Sequence, residues 1–205
     1  MYRCFIFDVD GTIIDTEEAI LKSLQKALRE EGREHTVEEL RKILGIPGIE
    51  GLRLLNVANM DRVYERWVAG IGEYAGSVSV FPGMEKVLRS LHEKNMPLGI
   101  VTSKTRQEFA DGFEPFGLGK YFRSVVTADD TKRHKPDPEP LLACLKKLGA
   151  GREEAIYIGD TRYDLECAKG AGVKFGLALW GAKSAEGLDA DHIFSEPEEI
   201  LNLCK

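Results

Sequence analysis

The stretch Arg3-Cys4-Phe5-Ile6-Phe7-Asp8-Val9-Asp10-Gly11-Thr12 decides how the rest of the chain is read. A short apolar run ends abruptly in two carboxylates and a glycine. Further along, short apolar runs alternate with segments of helical period, the pattern of βα units feeding a parallel sheet. The residues after each run then stand at the carboxyl end of a strand, where open parallel sheets bind their ligands.

The predicted strands are Arg3 to Phe7, Leu98 to Val101, Ser124 to Val126, Ala155 to Ile158, Gly176 to Leu179 and a weaker one at His192 to Phe194. Between the first two lies a long stretch from about Asp15 to Val80 with helical patterns and no convincing strand. Ile20, Leu24, Ala27 and Leu28 share one helical face, Thr36 and Glu39 form a capping box, and Val63, Trp67 and Ile71 recur every four residues. These stripes read as the packing core of a small helical bundle. Phe81-Pro82-Gly83 marks the return to the sheet, and Asp137-Pro138 reads as N-cap and first residue of a helix that stops at Gly149. The expected architecture is therefore an α/β, Rossmann-like, doubly wound parallel sheet with a small all-helical cap inserted after the first strand. Residues 1–14 and 81–205 form the expected core domain, and residues 15–80 the cap.

The 205 residues suffice for a real hydrophobic core without disulfide or metal staples. Cys4, Cys144, Cys167 and Cys204 lie far apart with no C-x-x-C pair, which suits a reducing compartment and makes the cytoplasm the expected location. No signal peptide or span-length apolar stretch is read, so a membrane is not expected. Lys and Arg number 28 against 34 Asp and Glu, a net charge of −6, with no basic run. Nucleic acid is a poor partner for such a chain. A small anion is not excluded, because a few lysines, amides and a cation can outweigh a mildly acidic mean field.

Three predicted strand ends bring polar residues to one edge: Asp8-Val9-Asp10-Gly11-Thr12, Thr102-Ser103-Lys104 and Gly159-Asp160-Thr161. Asp8 and Asp10, two residues apart on an extended segment, share a side and repel. A hard, oxygen-liganded ion such as Mg²⁺ relieves that repulsion, and Asp160 and Asp164 can complete its shell directly or through water. Thr102 and Ser103 can donate hydroxyl and amide hydrogens to a phosphate. Lys135, in His134-Lys135-Pro136-Asp137-Pro138, has a stem held in direction by the prolines, whereas His134 reads as a surface or hinge residue. Each feature has a plainer reading: D-x-D-G as a solvated turn, Thr-Ser as a helix N-cap, Lys-Pro as a surface lysine. The register of an EF-hand is broken at Thr12 and Ile13, and neither a P-loop nor a G-x-G-x-x-G occurs.

Taken in order, Asp8 to Thr12, Thr102, Lys135 and Gly159-Asp160-Thr161-Arg162-Tyr163-Asp164 resemble the motifs of the haloacid dehalogenase superfamily of phosphohydrolases over nearly the whole chain. The resemblance implies that Asp8 is the nucleophile and Asp10 the general acid and base. It implies that Asp8, the Asp10 carbonyl and Asp160 hold Mg²⁺ with Asp164 in support, and that Thr102 and Lys135 hold the transferring phosphoryl group. Gly11, Thr12 and Ser103 are the further expected substrate-binding positions. The cap is similar to that of the subgroup with phosphoglycolate phosphatases, small pyrophosphatases and β-phosphoglucomutase, and His134 to Pro140 resembles the first two. The expected function is Mg²⁺-dependent hydrolysis of a small phosphorylated metabolite. A phosphomutase, an inorganic pyrophosphatase and a non-catalytic binding module remain as alternatives. Against the mutase, Gly45 to Glu50 in the cap is apolar and acidic where a phosphate-binding basic residue would stand, with Arg53 the nearest arginine; against the module, every expected catalytic position is filled. Neither the substrate nor the oligomeric state is encoded legibly.

Overall fold

A computed structural model describes residues 2–182 and 184–204 of the chain. Strand β1 (Cys4–Phe7) leads through the Asp8 turn to a two-residue strand, β2 (Ile14–Asp15). Four helices follow: α1 (Glu17–Glu30), α2 (Val37–Leu40), α3 (Gly48–Leu54) and α4 (Met60–Ile71). The chain returns through β3 (Ser79–Val80), α5 (Met84–Glu93), β4 (Leu98–Val101), α6 (Arg106–Gly112) and β5 (Ser124–Val126). It ends with α7 (Glu139–Leu148), β6 (Ala155–Gly159), α8 (Arg162–Ala171), β7 (Lys174–Ala178), α9 (Leu179–Ala182) and β8 (His192–Phe194).

Six strands form one parallel sheet in the order β5-β4-β1-β6-β7-β8, with β1 central and Phe5 opposite Leu98 on one side and Ile156 on the other. Alternate side chains of a strand point to opposite faces. Accordingly Phe5, Phe7, Ile156 and Ile158 pack on one side with Val87, Leu88, Leu91 and Phe109 from α5 and α6. Cys4, Ile6, Ala155 and Tyr157 pack on the other with Leu141, Leu145, Leu165 and Ala168 from α7 and α8. This is the doubly wound architecture that the alternation of elements predicts. A separate apolar cluster built on Leu24, Leu28, Leu52, Val63 and Trp67 holds α1 to α4 together as the helical cap. Thr36 and Glu39 make the predicted capping box. Among the described residues no helix is long and apolar enough to cross a membrane.

The structure corrects the sequence reading at its margins. Strand is present at both ends of the inserted stretch: Ile14 pairs with Val80 and Asp15 with Ser79 as an antiparallel ribbon. Two-residue strands carry no periodicity, so nothing in the sequence marks them. The predicted strand Gly176 to Leu179 begins earlier, at Lys174, and Leu179 opens a helical turn. The helix expected to start at Pro138 starts at Glu139, with the Asp137 carboxylate accepting from the Glu139 amide at 2.9 Å. It does stop at Gly149, which takes the left-handed conformation (φ 65°).

Phe5 is fully buried on the central strand, whereas Leu54 on α3 is 48% exposed. Phe5→Ala is expected to cost about 3–5 kcal/mol in urea denaturation, the range for emptying a buried aromatic site. Leu54→Ala should stay within about 0.5 kcal/mol of wild type.

Candidate active site

Asp8 is placed by the sheet itself. Its amide donates to the Ile158 carbonyl at 2.9 Å, continuing the ladder one residue past β1, and the residue is 2% exposed. The Lys135 ammonium lies 2.9 Å from Asp8 Oδ1 and 2.7 Å from Asp164 Oδ1, with both partners buried. Asp164 in turn accepts from Tyr157 Oη (2.8 Å), the Thr161 amide (3.0 Å) and the Thr161 hydroxyl (2.5 Å). The bond from the Thr161 amide, with the Asp164 amide donating back to the Thr161 hydroxyl at 3.3 Å, forms the capping box that starts α8, so one carboxylate orders a helix terminus and fixes the lysine.

Asp8, Asp160 and Asp164 present carboxylate oxygens within 4.8 Å of one another. Thr12, fully buried, donates its hydroxyl to Asp160 Oδ1 at 3.1 Å. Gly11 has φ 75°, and a Cβ there would overlap the Asp160 carboxylate, so only glycine fits this turn. Gly181 is equally constrained from the other side, since its Cβ would collide with the Gly11 carbonyl. The Gly11 amide donates to the Ile14 carbonyl at 2.9 Å. Gly11 and Thr12 thus shape the loop and orient Asp160.

Three carboxylates against one ammonium leave a shortfall of positive charge. Burial, with repulsion from Asp164 and Asp10 added and Lys135 opposing, raises the Asp8 carboxyl from 3.8 to about 7. Burial and the charges of Asp164 and Asp8 raise Asp160 well above the carboxylate range. Burial works against the charge on Lys135, but Asp164 and Asp8 outweigh it and raise its pKa. Hard oxygen donors clustered with an excess of negative charge fit a small divalent cation. Asp164, saturated by its own donors, fits a supporting position better than a direct one.

Asp10 is set apart from that cluster. Its Oδ1 accepts from Thr16 Oγ at 2.7 Å and pairs with Lys104 Nζ at 2.9 Å. Lys104 and Thr16 were not among the predicted site residues, nor were Tyr157 and Thr161. Lys104 directly follows Thr102-Ser103 at a strand end, a signal that could have found it; Tyr157 lies inside an apolar strand and gives none. Thr102 directly follows β4 and is buried, with its hydroxyl oxygen accepting from the Lys104 amide at 3.2 Å. Ser103 instead reaches the cap, donating to the Gly45 carbonyl at 2.8 Å. Tyr64 of α4 donates to Glu108 at 2.7 Å, Tyr163 to the Lys42 carbonyl at 3.2 Å, and His134 lies 3.9 Å from Glu50. The cap is thereby closed over a cavity of about 530 Å³ whose floor is Asp8, Asp10, Lys135 and Asp160.

The profile of the haloacid dehalogenase-like hydrolases matches residues 5–178. A pyrophosphatase PpaX of Oceanobacillus iheyensis is 30% identical over 205 residues, covering 98% of this chain and 96% of that protein. The pyrophosphatase PpaX of Listeria innocua is 34% identical over 207 residues, covering 98% and 95%. Among solved structures, a protein from Lactobacillus plantarum assigned as a phosphoglycolate phosphatase superposes with a TM-score of 0.90 at 29% identity, over 99% of both chains. Rhodobacter sphaeroides CbbY in complex with phosphate shares the fold, with a TM-score of 0.83 at 21% identity. The strand-end carboxylates, the buried lysine and the closed cap accordingly sit in a chain that belongs to the haloacid dehalogenase-like hydrolase family, as a phosphatase.

Proposed function

We propose that the protein hydrolyses the phosphoric monoester of a small metabolite in two steps through an aspartyl phosphate on Asp8. The observation that carries this reading is the Lys135 ammonium held 2.9 Å from a carboxylate that is buried at the end of the central strand and faces the cavity. The Asp8 carboxylate oxygen attacks phosphorus, the bond to the ester oxygen breaks, and the departing alkoxide takes a proton from Asp10. Asp10, now ionised, takes a proton from water, which attacks the aspartyl phosphate and returns Asp8 and inorganic phosphate. Oδ1 of Asp10 is anchored by Thr16 and Lys104, so the proton moves through Oδ2. Lys135 offsets the charge of Asp8 and of the incoming phosphoryl oxygens, the contribution that dominates in phosphoryl transfer.

Asp8, the Asp10 carbonyl and Asp160 would hold Mg²⁺, with Asp164 behind them; the ion would add the positive charge that the carboxylates lack. Thr102 and Ser103 belong to the phosphate side of the site in this reading, Thr102 by its place at the end of β4. The likeness to a phosphoglycolate phosphatase and to pyrophosphatases supports phosphoryl hydrolysis, and both substrates enter the panel described below.

EDTA is expected to abolish turnover of a chromogenic phosphate ester and Mg²⁺ to restore it; full activity in chelator with no metal carried through would reject this site. The same charge shortfall sets a pH dependence of the metal-free fold. The unfolded Asp8 ionises near 3.8 and the folded one near 7, so between these values the folded state binds more protons than the unfolded. Stability of the EDTA-treated protein should therefore fall as pH rises from about 4 to about 7 relative to Asp8→Asn, measured by urea midpoints. The nucleophile itself is tested at phosphorus. Two in-line displacements give net retention in a substrate chiral at phosphorus, which is the expected result; a single attack by water gives inversion and would overturn the role of Asp8.

A further inference from the structure

The cavity that holds Asp8 is much larger than a phosphoryl group requires, and its walls say what else it admits. At about 530 Å³ it lies within the range of about 300–1,000 Å³ that encloses organic ligands of drug size. The apolar part of its wall includes Ile20, Ile43, Trp67, Ile71, Phe116 and Trp180. Both indole donors are spent within the protein. Trp67 Nε1 donates to the Ile20 carbonyl at 2.9 Å, and Trp180 Nε1 to the Thr12 carbonyl at 3.0 Å. The two rings therefore offer the cavity hydrocarbon faces and no polar handle.

Charge in the wall points the same way. Among the described residues its cations are Lys104 and Lys135, and each is already paired, Lys104 with Asp10 and Lys135 with Asp8 and Asp164. The remaining ionisable groups of the wall are acids, among them Asp15, Glu17, Glu108 and Asp111. Arg41 of the cap, which pairs with Glu17 at 2.6 Å, is also engaged by Glu38 at 2.9 Å. Among the described residues, a second anionic group on the substrate would be stripped of water against hydrocarbon and meet carboxylates, with only these two already paired lysines to offset its charge.

We propose that the substrate is a monophosphate ester of an uncharged, largely apolar alcohol, aliphatic or aromatic, and not pyrophosphate or a phosphate ester bearing a second anion. This rests on the Asp8 phosphatase reading and adds the chemical class of the leaving group to it. Covering the apolar wall favours such an alcohol in proportion to the area removed from water, and it does so in the transition state as long as the alcohol stays seated during P–O cleavage.

The test is kcat/KM with Mg²⁺ along methyl, butyl and hexyl phosphate, whose leaving groups differ little in acidity, alongside phosphoglycolate and pyrophosphate. The expected result is a rise on the order of tenfold or more from methyl to hexyl phosphate, with hexyl phosphate ahead of both competitors that carry a second anionic group. A flat series, or phosphoglycolate or pyrophosphate in the lead, would overturn the inference and leave the phosphatase reading standing. No turnover of any of the five would overturn both. A second variant reads the wall directly: Ile71→Arg, at the half-buried end of α4, should lower the ratio of hexyl phosphate to phosphoglycolate turnover at least tenfold. An unchanged ratio in a folded variant, judged by its circular dichroism, would count against the assignment of this wall to the leaving group.

Discussion

The rest of the structure depends on one buried ammonium. Lys135 is 2% exposed, and a lysine taken so far out of water persists only if carboxylates meet it at hydrogen-bonding distance. Asp8 supplies one from the end of β1 and Asp164 another from the first turn of α8. Because Asp164 also bonds Tyr157 of β6 and caps its own helix through Thr161, the lysine draws two strands, a loop and a helix terminus to one point. Such a cluster is a poor source of stability. Hydrophobic residues of equal volume would do as well or better there, and three carboxylates share one cation. The arrangement makes sense as an excess of negative charge prepared for something positive to enter.

Most of this was readable from the chain, and the unreadable parts have physical causes. Apolar runs that stop dead at Asp8, Thr102 and Gly159 locate the strand ends because a strand buried on both faces has no polar residues to confuse the boundary. The helical cap follows from stripes at helical spacing that find no strand beside them. What escaped detection lacks a pattern of its own. The Ile14–Val80 ribbon is too short to show alternation. Lys104 looks like any solvated lysine until folding places it 2.9 Å from Asp10. The Tyr157 hydroxyl is hidden in a strand that reads as core, and its role exists only because Asp164 comes within 2.8 Å. Ser103 shows the converse, a hydroxyl in the expected place whose bond goes to the cap carbonyl of Gly45.

Closure of the cap is spread over small contacts. Ser103 to Gly45, Tyr64 to Glu108 and Tyr163 to Lys42 are each single hydrogen bonds at partly or fully exposed positions. Bonds of this kind contribute about 0.5–1.5 kcal/mol apiece. A lid held by a few such bonds belongs to the low-stability end from which moving elements are drawn.

The ribbon of Ile14–Asp15 with Ser79–Val80 brings the way into the cap and the way out of it side by side. Seen from the sheet, the whole bundle is the tip of a hairpin, and the sheet registers only a neck two residue pairs wide. The entropic cost of lengthening a closed loop grows slowly with its length. The size of what hangs beyond the neck can thus vary at little entropic cost, while Thr16, just past the neck, keeps its bond to Asp10 below. A bundle of other dimensions fits the same two junctions with the strand ends left where they are, provided that its first residues keep the Thr16 hydroxyl on Asp10, and it changes only the part of the wall that Phe116 and Trp180 do not supply.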